Sequence, residues 1–248
     1  MRRRLSIFAS FLAVIILLSP VPCGFVISAS AKERISPVLR HQESYILSLE
    51  LEFTRKNQSS LQRAFTFLDW GANGHATGFL VANGIALTAY HVVSGDLSDN
   101  KRRLLGFKAQ DPLNVRVYVN GCEATVIEVD KDADLALLSV CGSPKKVEPP
   151  KFQSSLSKDE QLLAIARLHG YKQVNRGTLF GSYSFHGQEY WSAKFDMRDG
   201  YSGSPVYNQK AEVIGVFSGY DWNQSLAVIS PAIRAEKLLK RYFAGRNQ

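Results

Sequence analysis

Short apolar runs, separated by polar turn residues, follow one another from about residue 79 to residue 217. One example is the run 79–81, the dipeptide Asn83-Gly84 and the run 85–89, a pattern typical of a β-hairpin. Runs of this length, bounded by Gly, Asn or Asp, predict strands, and together they predict an all-β protein. The other predicted strands are 115–119, 124–129, 135–140, 161–168, 177–185, 190–195, 204–207 and 212–217.

The residues around these runs divide the chain. Residues 32–64 mix charged residues with apolar ones at helix-like spacing, which predicts a helical or irregular leader before the main domain. Residues 144–158 are rich in Lys, Pro and Ser, which predicts a linker. We therefore expect a first β-rich half over 65–143 and a second over 159–229.

A helix is expected at the end of the chain, over 231–245. Ser230 is a suitable capping residue and Pro231 is favoured in a first helical turn. The predicted apolar face of this helix consists of Ile233, Leu238, Leu239 and Phe243.

The first 31 residues have the pattern of a signal peptide. Three arginines, Arg2 to Arg4, precede an apolar stretch over 5–18, and Ala29-Ser30-Ala31 offers small residues at a cleavage site. We expect cleavage after Ala31 and export to the periplasm or the medium. The alternative is an uncleaved signal anchor, which would tether the protein to a membrane.

Composition and charge narrow the range of functions. The chain has 248 residues, of which 45% are hydrophobic and 21% charged, so a collagen-like or disordered chain is excluded. Removal of residues 1–31 lowers the net charge from +8 to +5. The basic run Lys101-Arg102-Arg103 is interpreted as a solvated loop. No alternation of basic and aromatic residues indicates a nucleic-acid partner.

Two cysteines remain after residue 31, Cys122 and Cys141. They are symmetric about the middle of a predicted hairpin whose turn contains Lys131 and Asp132. Neighbouring strands bring such residues within about 4.5–5.5 Å, and an oxidising compartment favours a disulfide. We therefore predict a bridge, with two buried free thiols as the alternative.

The segment from Gly200 to Pro205 carries the strongest chemical signal. Two glycines flank Ser202, and glycine permits the tight turn that would present the serine hydroxyl. The N–H groups of Gly200 and Ser202 would then form an oxyanion hole. Taken alone, the segment is equally compatible with an ordinary surface loop.

Two further motifs complete a candidate triad. His91 directly follows a predicted apolar strand, and a neutral histidine is a good base near pH 7. Asp134 directly precedes another apolar strand, which would fix its backbone at the edge of the core. Asp134 is expected to accept a hydrogen bond from His91, which in turn activates Ser202.

With these motifs, in the order His, Asp, Ser, the chain resembles the trypsin-like serine peptidases of the chymotrypsin fold. The segment after Ser202 is similar to that of bacterial glutamyl endopeptidases, and residues 79–93 are similar to the periplasmic high-temperature-requirement proteases. The resemblance covers about residues 65–245. It implies two six-stranded antiparallel β-barrels, with His91 and Asp134 from the first barrel and Ser202 from the second.

Specificity is predicted from the same resemblance. Asp196 stands six residues before Ser202, where trypsin-type pockets hold an acid, which would favour cleavage after Arg or Lys. Phe217 stands where glutamyl endopeptidases have a histidine, which argues against cleavage after Glu. Tyr201 replaces the Asp that animal members use in activation. Four further residues are expected to line the pocket: Ser218 and Gly219, with His186 and Tyr190 as additional candidates.

The sequence therefore predicts an exported serine endopeptidase that acts on proteins or peptides through an acyl-enzyme. This mechanism needs no metal or organic cofactor, and the remaining histidines show no metal-ligand spacing. A non-catalytic binding protein of the same fold is the alternative. An esterase using the same triad is a third possibility, disfavoured by the β-rich halves and the order of the triad residues.

Overall fold

The computed structural model of the chain describes residues 37–56, 73–142, 146–197 and 200–246. The predicted signal peptide, residues 1–31, lies outside these ranges, as do parts of the predicted leader. Within the described ranges, no helix is both long and apolar enough to cross a membrane.

The first half of the chain forms a closed six-stranded antiparallel barrel. Its strands are joined in the order β1-β2-β3-β6-β5-β4, and β4 pairs with β1 to close the ring. The strands are β1 (Ile46–Arg55), β2 (Gly74–Ala82), β3 (Ile85–Ala89), β4 (Leu113–Val119), β5 (Cys122–Asp130) and β6 (Leu135–Ser139).

Strand β1 corrects the predicted start of the domain at residue 65. Residues 32–64 were predicted as a leader, but β1 pairs with both β2 and β4 and is part of the barrel. Its alternating residues Leu49, Leu51 and Phe53 are buried, as expected for a strand with one face on the core. The alternation of Glu50 and Glu52 with these residues has a period of two, which is the strand pattern that the helix-like interpretation of residues 32–64 overlooked. Only the short helix α1 (Pro37–Glu43) precedes the barrel in the described residues.

The second half forms another closed six-stranded antiparallel barrel, in the order β10-β11-β12-β9-β8-β7. The two barrels confirm the predicted fold class. The strands are β7 (Gln161–Leu168), β8 (Tyr171–Phe185), β9 (Gln188–Lys194), β10 (Pro205–Tyr207), β11 (Val213–Asp221) and β12 (Leu226–Pro231). Strand β12 was absent from the predicted strands, because its last two residues carry the start signal of the helix that follows.

The three remaining helices are α2 (His91–Ser94), α3 (Asp99–Leu104) and α4 (Ala232–Arg246). Helix α4 confirms the predicted C-terminal helix, but only half of its predicted apolar face is in the core. Leu238 is fully buried and Leu239 packs partly buried against the core, whereas Ile233 and Phe243 are exposed. The residues buried beside Leu238 are the small Ala232 and Ala235, which let the helix lie close to the barrels.

The basic run at 101–103 lies in helix α3 and is not a loop. The guanidinium of Arg102 donates to the carbonyls of Leu97, Gly95 and Asp111 at 3.0, 3.3 and 2.6 Å. This arginine holds the connection between α2 and β4 in place, so its role is structural.

The predicted disulfide is present. Cys122 begins β5 and Cys141 follows β6, with 6.3 Å between their Cα atoms. The two cysteines lie beyond the last direct pair of the hairpin, Thr125 with Ser139. A bulge after Val126 shifts the register between that pair and the turn. The bridge clamps the open end of the hairpin whose turn carries Asp134.

The barrels pack against each other through a shared apolar core. Leu87 and Leu135 from the first barrel and Ile165 and Tyr207 from the second lie in one cluster, and all four are essentially inaccessible to water. Burial also raises the pKa of the Tyr207 hydroxyl well above its usual value. This core fixes the relative position of the two barrels, and therefore of the loops at their junction.

Candidate active site

The pairing of β3 with β6 brings His91 and Asp134 together. Ala89 is the register partner of Leu135, and the pairing continues with a bond of 3.0 Å from the Tyr90 N–H to the Asp134 carbonyl. His91 follows as the first residue of α2. Two residues 43 positions apart in the chain therefore become neighbours through the hydrogen-bond ladder of one sheet.

Asp134 is held in a tight turn between β5 and β6. Its φ of 52° lies in the left-handed region, which aspartate tolerates better than most residues. Its N–H donates to the Lys131 carbonyl at 3.1 Å, and its neighbours Ala133 and Leu135 are fully buried. The carboxylate is consequently anchored at the edge of the core.

Asp134 makes two hydrogen bonds to His91. One carboxylate oxygen accepts the backbone N–H of His91 at 2.8 Å, and the other lies 2.8 Å from the imidazole Nδ1. The second bond requires the tautomer in which Nδ1 carries the proton, which leaves Nε2 as a proton acceptor.

Ser202 completes the arrangement from the second barrel. Its Oγ lies 2.8 Å from His91 Nε2. The turn around it is fixed to the second barrel by a bond of 2.8 Å from the Gly203 N–H to the Phe217 carbonyl. The structure thus brings together the three predicted triad residues in one hydrogen-bonded chain. Such a chain can lower the barrier to attack by a serine hydroxyl, because the base and its partner are already aligned.

Thr77 of β2 joins the Ser202 turn to the first barrel and was missed by the sequence analysis. Its N–H donates to the Ser202 carbonyl at 2.9 Å, and its hydroxyl donates to the Gly200 carbonyl at 3.1 Å. The same hydroxyl accepts the Arg167 N–H at 3.2 Å. The available signal was a single hydroxyl residue next to the apolar run 78–82, and the Thr77 side chain is fully buried here.

The two glycines of the motif have conformations that other residues resist. Gly200 has φ of 90° and Gly203 has φ of 84°. A Cβ on Gly203 would overlap the Thr77 carbonyl and the Thr88 hydroxyl, and one on Gly200 would lie 2.6 Å from a methyl group of Leu168. The turn therefore lies directly against the first barrel at Gly203 and against Leu168 of the second barrel at Gly200.

A cavity of about 890 Å³ lies beside the imidazole. Ser218 and Gly219, predicted to line a substrate pocket, are among its lining residues, as are His186 and Tyr190. Asp196 and Phe217 are not. Asp196 is exposed, in contrast to the buried carboxylate that a trypsin-type pocket requires, and Phe217 is buried in the core of the second barrel.

Tyr190 connects this cavity to the turn that carries Asp134. Its hydroxyl donates to the Asp132 carbonyl at 3.0 Å. Burial, followed by the negative charge of Asp134, raises the pKa of the Tyr190 hydroxyl. The phenol therefore stays neutral at physiological pH. Among the described residues, no group of three or more His, Cys, Asp and Glu side chains is arranged to hold a metal ion.

Two six-stranded barrels with a serine, a histidine and an aspartate at their junction define the chymotrypsin-fold serine peptidases. The family described as the trypsin-like peptidase domain matches residues 76–216, more than half of the chain, and the chain belongs to this family. The predicted membership is thereby confirmed.

Solved structures of the same fold include the Rv3671c protease of Mycobacterium tuberculosis. Its active form is 18% identical, with a TM-score of 0.58 over 82% of this chain and 83% of that chain. Its inactive form is 18% identical, with a TM-score of 0.54 over 83% of this chain and 92% of that chain. At this identity the likeness concerns the fold alone. No curated protein matches the chain in sequence.

Proposed function

We propose that this chain is an exported serine endopeptidase with His91, Asp134 and Ser202 as its catalytic triad. The observation that carries the proposal is the continuous chain of 2.8 Å hydrogen bonds from the Asp134 carboxylate through the imidazole to the Ser202 hydroxyl. Membership of the trypsin-like peptidase family supports hydrolysis of peptide bonds as the reaction.

In the proposed mechanism, His91 Nε2 takes the proton of the Ser202 hydroxyl as Oγ attacks the carbonyl carbon of the scissile bond. Asp134 stabilises the imidazolium that forms. The tetrahedral intermediate collapses when Nε2 gives its proton to the leaving amine, which breaks the C–N bond and leaves an acyl-serine. A water molecule then loses a proton to Nε2 and attacks the acyl carbon. The C–Oγ bond breaks as Nε2 gives this proton to Oγ, which frees the acid and restores Ser202.

We assign the oxyanion hole to the N–H groups of Gly200 and Ser202. In the described part of the chain, neither group donates to another residue, whereas the following N–H groups of Gly203 and Ser204 do. The bond from the Thr77 hydroxyl to the Gly200 carbonyl supports this assignment, because it helps to fix the orientation of the turn. One such donor typically contributes about 2.7–4 kcal/mol to the barrier reduction.

Covalent labelling tests the proposed nucleophile. The folded protein is treated with a fluorophosphonate probe, and the modified peptide is identified by mass spectrometry. We expect a single adduct on Ser202, none in Ser202→Ala, and hydrolysis of a peptide library by the unmodified protein alone. A folded protein that neither reacts with the probe nor cleaves peptides is a non-catalytic binding protein. Cleavage of simple esters without cleavage of peptides would identify an esterase.

Export is proposed from the amino-terminal sequence and the disulfide. Disulfides such as Cys122–Cys141 persist in oxidising compartments outside the cytoplasm. Amino-terminal sequencing of the protein recovered from its producing cells tests this proposal. A start at Lys32 is expected, whereas an intact Met1 would show that the signal segment is retained and that the protein is tethered to a membrane.

A further inference from the structure

The cavity lies beside His91, the proposed base, and does not extend to Ser202, the proposed nucleophile. Its lining includes His91 and Asp134 but not Ser202. A substrate group that fills this cavity is therefore close to the reacting bond without being the group that is attacked.

Two hairpin tips place exposed aromatic side chains in the lining of this cavity. Phe185 ends β8 at the β8–β9 turn and is 51% exposed, and Trp222 follows β11 at the β11–β12 turn and is 75% exposed. Neither ring contributes to the buried cores of the barrels. Large aromatic rings left in contact with water beside a concave site are typical of ligand recognition.

The two hairpins are tied to each other. The Tyr183 hydroxyl of β8 donates to Asp221 Oδ2 of β11 at 2.9 Å. The other oxygen of Asp221 accepts the N–H groups of Asn223 and Gln224 at 2.9 and 3.1 Å. The Trp222 ring also lies 4.7 Å from the ring of Tyr220, between centroids. These contacts fix the tip that carries Trp222 before any ligand binds.

The charges in the cavity are largely matched by partners. Asp134 is paired with His91, and the Asp221 carboxylate accepts the three hydrogen bonds described above. The hydrogen bonds to its carboxylate lower the pKa of Asp221, so it remains ionised and bound to them. Lys131 lies over the ring of Tyr90 at 5.7 Å, next to the oppositely charged Asp132. Three of the four charged side chains in the lining are acidic and one is basic, so the lining has an excess of negative charge. Two of the three acids, Asp134 and Asp221, are already hydrogen-bonded, so the contacts left for a ligand come mainly from the aromatic rings.

A free strand edge leads from the nucleophile to this aromatic cavity. Strand β10 pairs with β11 only as far as Val216, and Phe217 bonds to the Ser202 turn. From Ser218 to Asp221, β11 pairs with β12 on one side and with no strand on the other in the described residues. At about 3.3 Å per residue, an extended peptide along this edge reaches the cavity about two to four residues from the scissile bond.

We propose that Phe185 and Trp222 form an aromatic subsite of the peptidase. It takes an apolar, preferably aromatic, side chain of the substrate, located about two to four residues from the cleaved bond. This inference rests on the proposed function, since it assigns part of the specificity of the same active site. Burial of a substrate ring between these side chains is expected to raise kcat/KM about 10- to 100-fold over alanine at that position.

A positional peptide library, with quenched fluorescence as the readout, tests the subsite. The wild-type chain is compared with Phe185→Ala, Trp222→Ala and the control Phe180→Ala. Phe180 also belongs to β8 and is equally exposed at 51%, but it does not line the cavity. We expect the wild type and Phe180→Ala to prefer Phe, Tyr, Trp or Leu at one position of the substrate. In Phe185→Ala and Trp222→Ala, kcat/KM for these substrates should fall about tenfold or more. Thermal unfolding of each variant checks that it is folded.

The outcomes separate the subsite from the proposed function. Cleavage by the wild type without an aromatic preference at any position near the bond would overturn the subsite alone. The same conclusion follows if Phe185→Ala and Trp222→Ala are folded and keep the preference. A wild-type chain that neither cleaves the library nor labels at Ser202 overturns the proposed function, and the subsite with it.

Discussion

The N–H of Thr77 donates a hydrogen bond of 2.9 Å to the carbonyl of Ser202, so the proposed nucleophile of one barrel is held by a strand of the other. The Thr77 hydroxyl adds a second bond across the junction, to the carbonyl of Gly200. The triad alone would not fix this turn, because only the Ser202 side chain contacts His91 through a hydrogen bond. Thr77 is therefore a positioning residue for the turn.

Thr77→Val tests this role. Valine has a similar shape but leaves the Gly200 carbonyl and the Arg167 N–H without their partner. We expect a stability loss of about 1–3 kcal/mol and a decrease in kcat/KM of about 10- to 100-fold, from misplacement of the turn. Thr77→Ser, which keeps the hydroxyl, should retain most of the stability and most of the kcat/KM of the wild type. Equal kcat/KM in the valine and serine variants would contradict the positioning role.

Asp134→Asn separates the aspartate's charge from its backbone conformation. Asparagine also tolerates the left-handed region, so φ of 52° is preserved. An amide stabilises the imidazolium less well and favours the wrong tautomer of His91, and kcat should fall about 10⁴-fold. Steady-state kinetics and circular dichroism measure the two effects. A native spectrum together with unchanged kcat would exclude Asp134 from the triad.

Gly203→Ala is expected to be one of the most damaging single-methyl changes in the protein. The new Cβ would overlap the Thr77 carbonyl and the Thr88 hydroxyl, in addition to requiring φ of 84°. We expect a loss of more than about 3 kcal/mol in the free energy of unfolding, measured by urea denaturation. Gly106→Ala is the matched control, because Gly106 has φ of 76° but open space around its Cβ position. Gly106→Ala should lose only about 1–2 kcal/mol in the free energy of unfolding. Equal losses in the Gly203 and Gly106 variants would contradict the steric explanation.

The disulfide should stabilise the hairpin that carries Asp134. Cys122 and Cys141 are 19 positions apart, and a loop of this size corresponds to about 3 kcal/mol in the chain-entropy account of cross-links. The double variant Cys122→Ser, Cys141→Ser is compared with the wild type in urea, with and without a reductant. The reductant should destabilise the wild type to the level of the variant and leave the variant unchanged. If the reductant leaves the urea denaturation curve of the wild type unchanged, although it has access to the unfolded chain, a bridge is contradicted.

His75 should make the protein sensitive to acid. Burial and the neighbouring His169, whose ring centroid is 3.7 Å away, lower the pKa of His75 below 6.5, and the opposing effect of Glu50 is smaller. The native state then binds fewer protons than the unfolded state, so stability is full above pH 6.5 and falls as the pH decreases toward the native pKa. The free energy of unfolding is measured between pH 8 and pH 5. His75→Gln should reduce its decrease with falling pH, and the control His186→Gln, at an exposed position, should not. Equal slopes in all three proteins would refute the assignment.

Local sequence was sufficient to predict most of the strands and the three motifs. The runs around His91, Asp134 and Ser202 are short, apolar and bounded by turn residues, and such patterns depend on neighbours in the chain. Strands β1 and β12, which close or complete their barrels, were not among the predicted strands. Each of these strands is defined by its pairing partners, and each borders a helix signal that obscured it.

The sequence by itself determined which residues are candidates for the chemistry: a serine in a glycine turn, a histidine after a strand and an aspartate before one. Only the tertiary structure decided how they meet, because the register of β3 on β6 aligns His91 with Asp134 and the shared core of the barrels sets the distance to Ser202. The same holds for specificity. Asp196 matched a pocket residue by its offset, yet it does not line the cavity. The lining includes Phe185 and Trp222, which belong to two hairpins of one barrel that are joined by the bond from Tyr183 to Asp221.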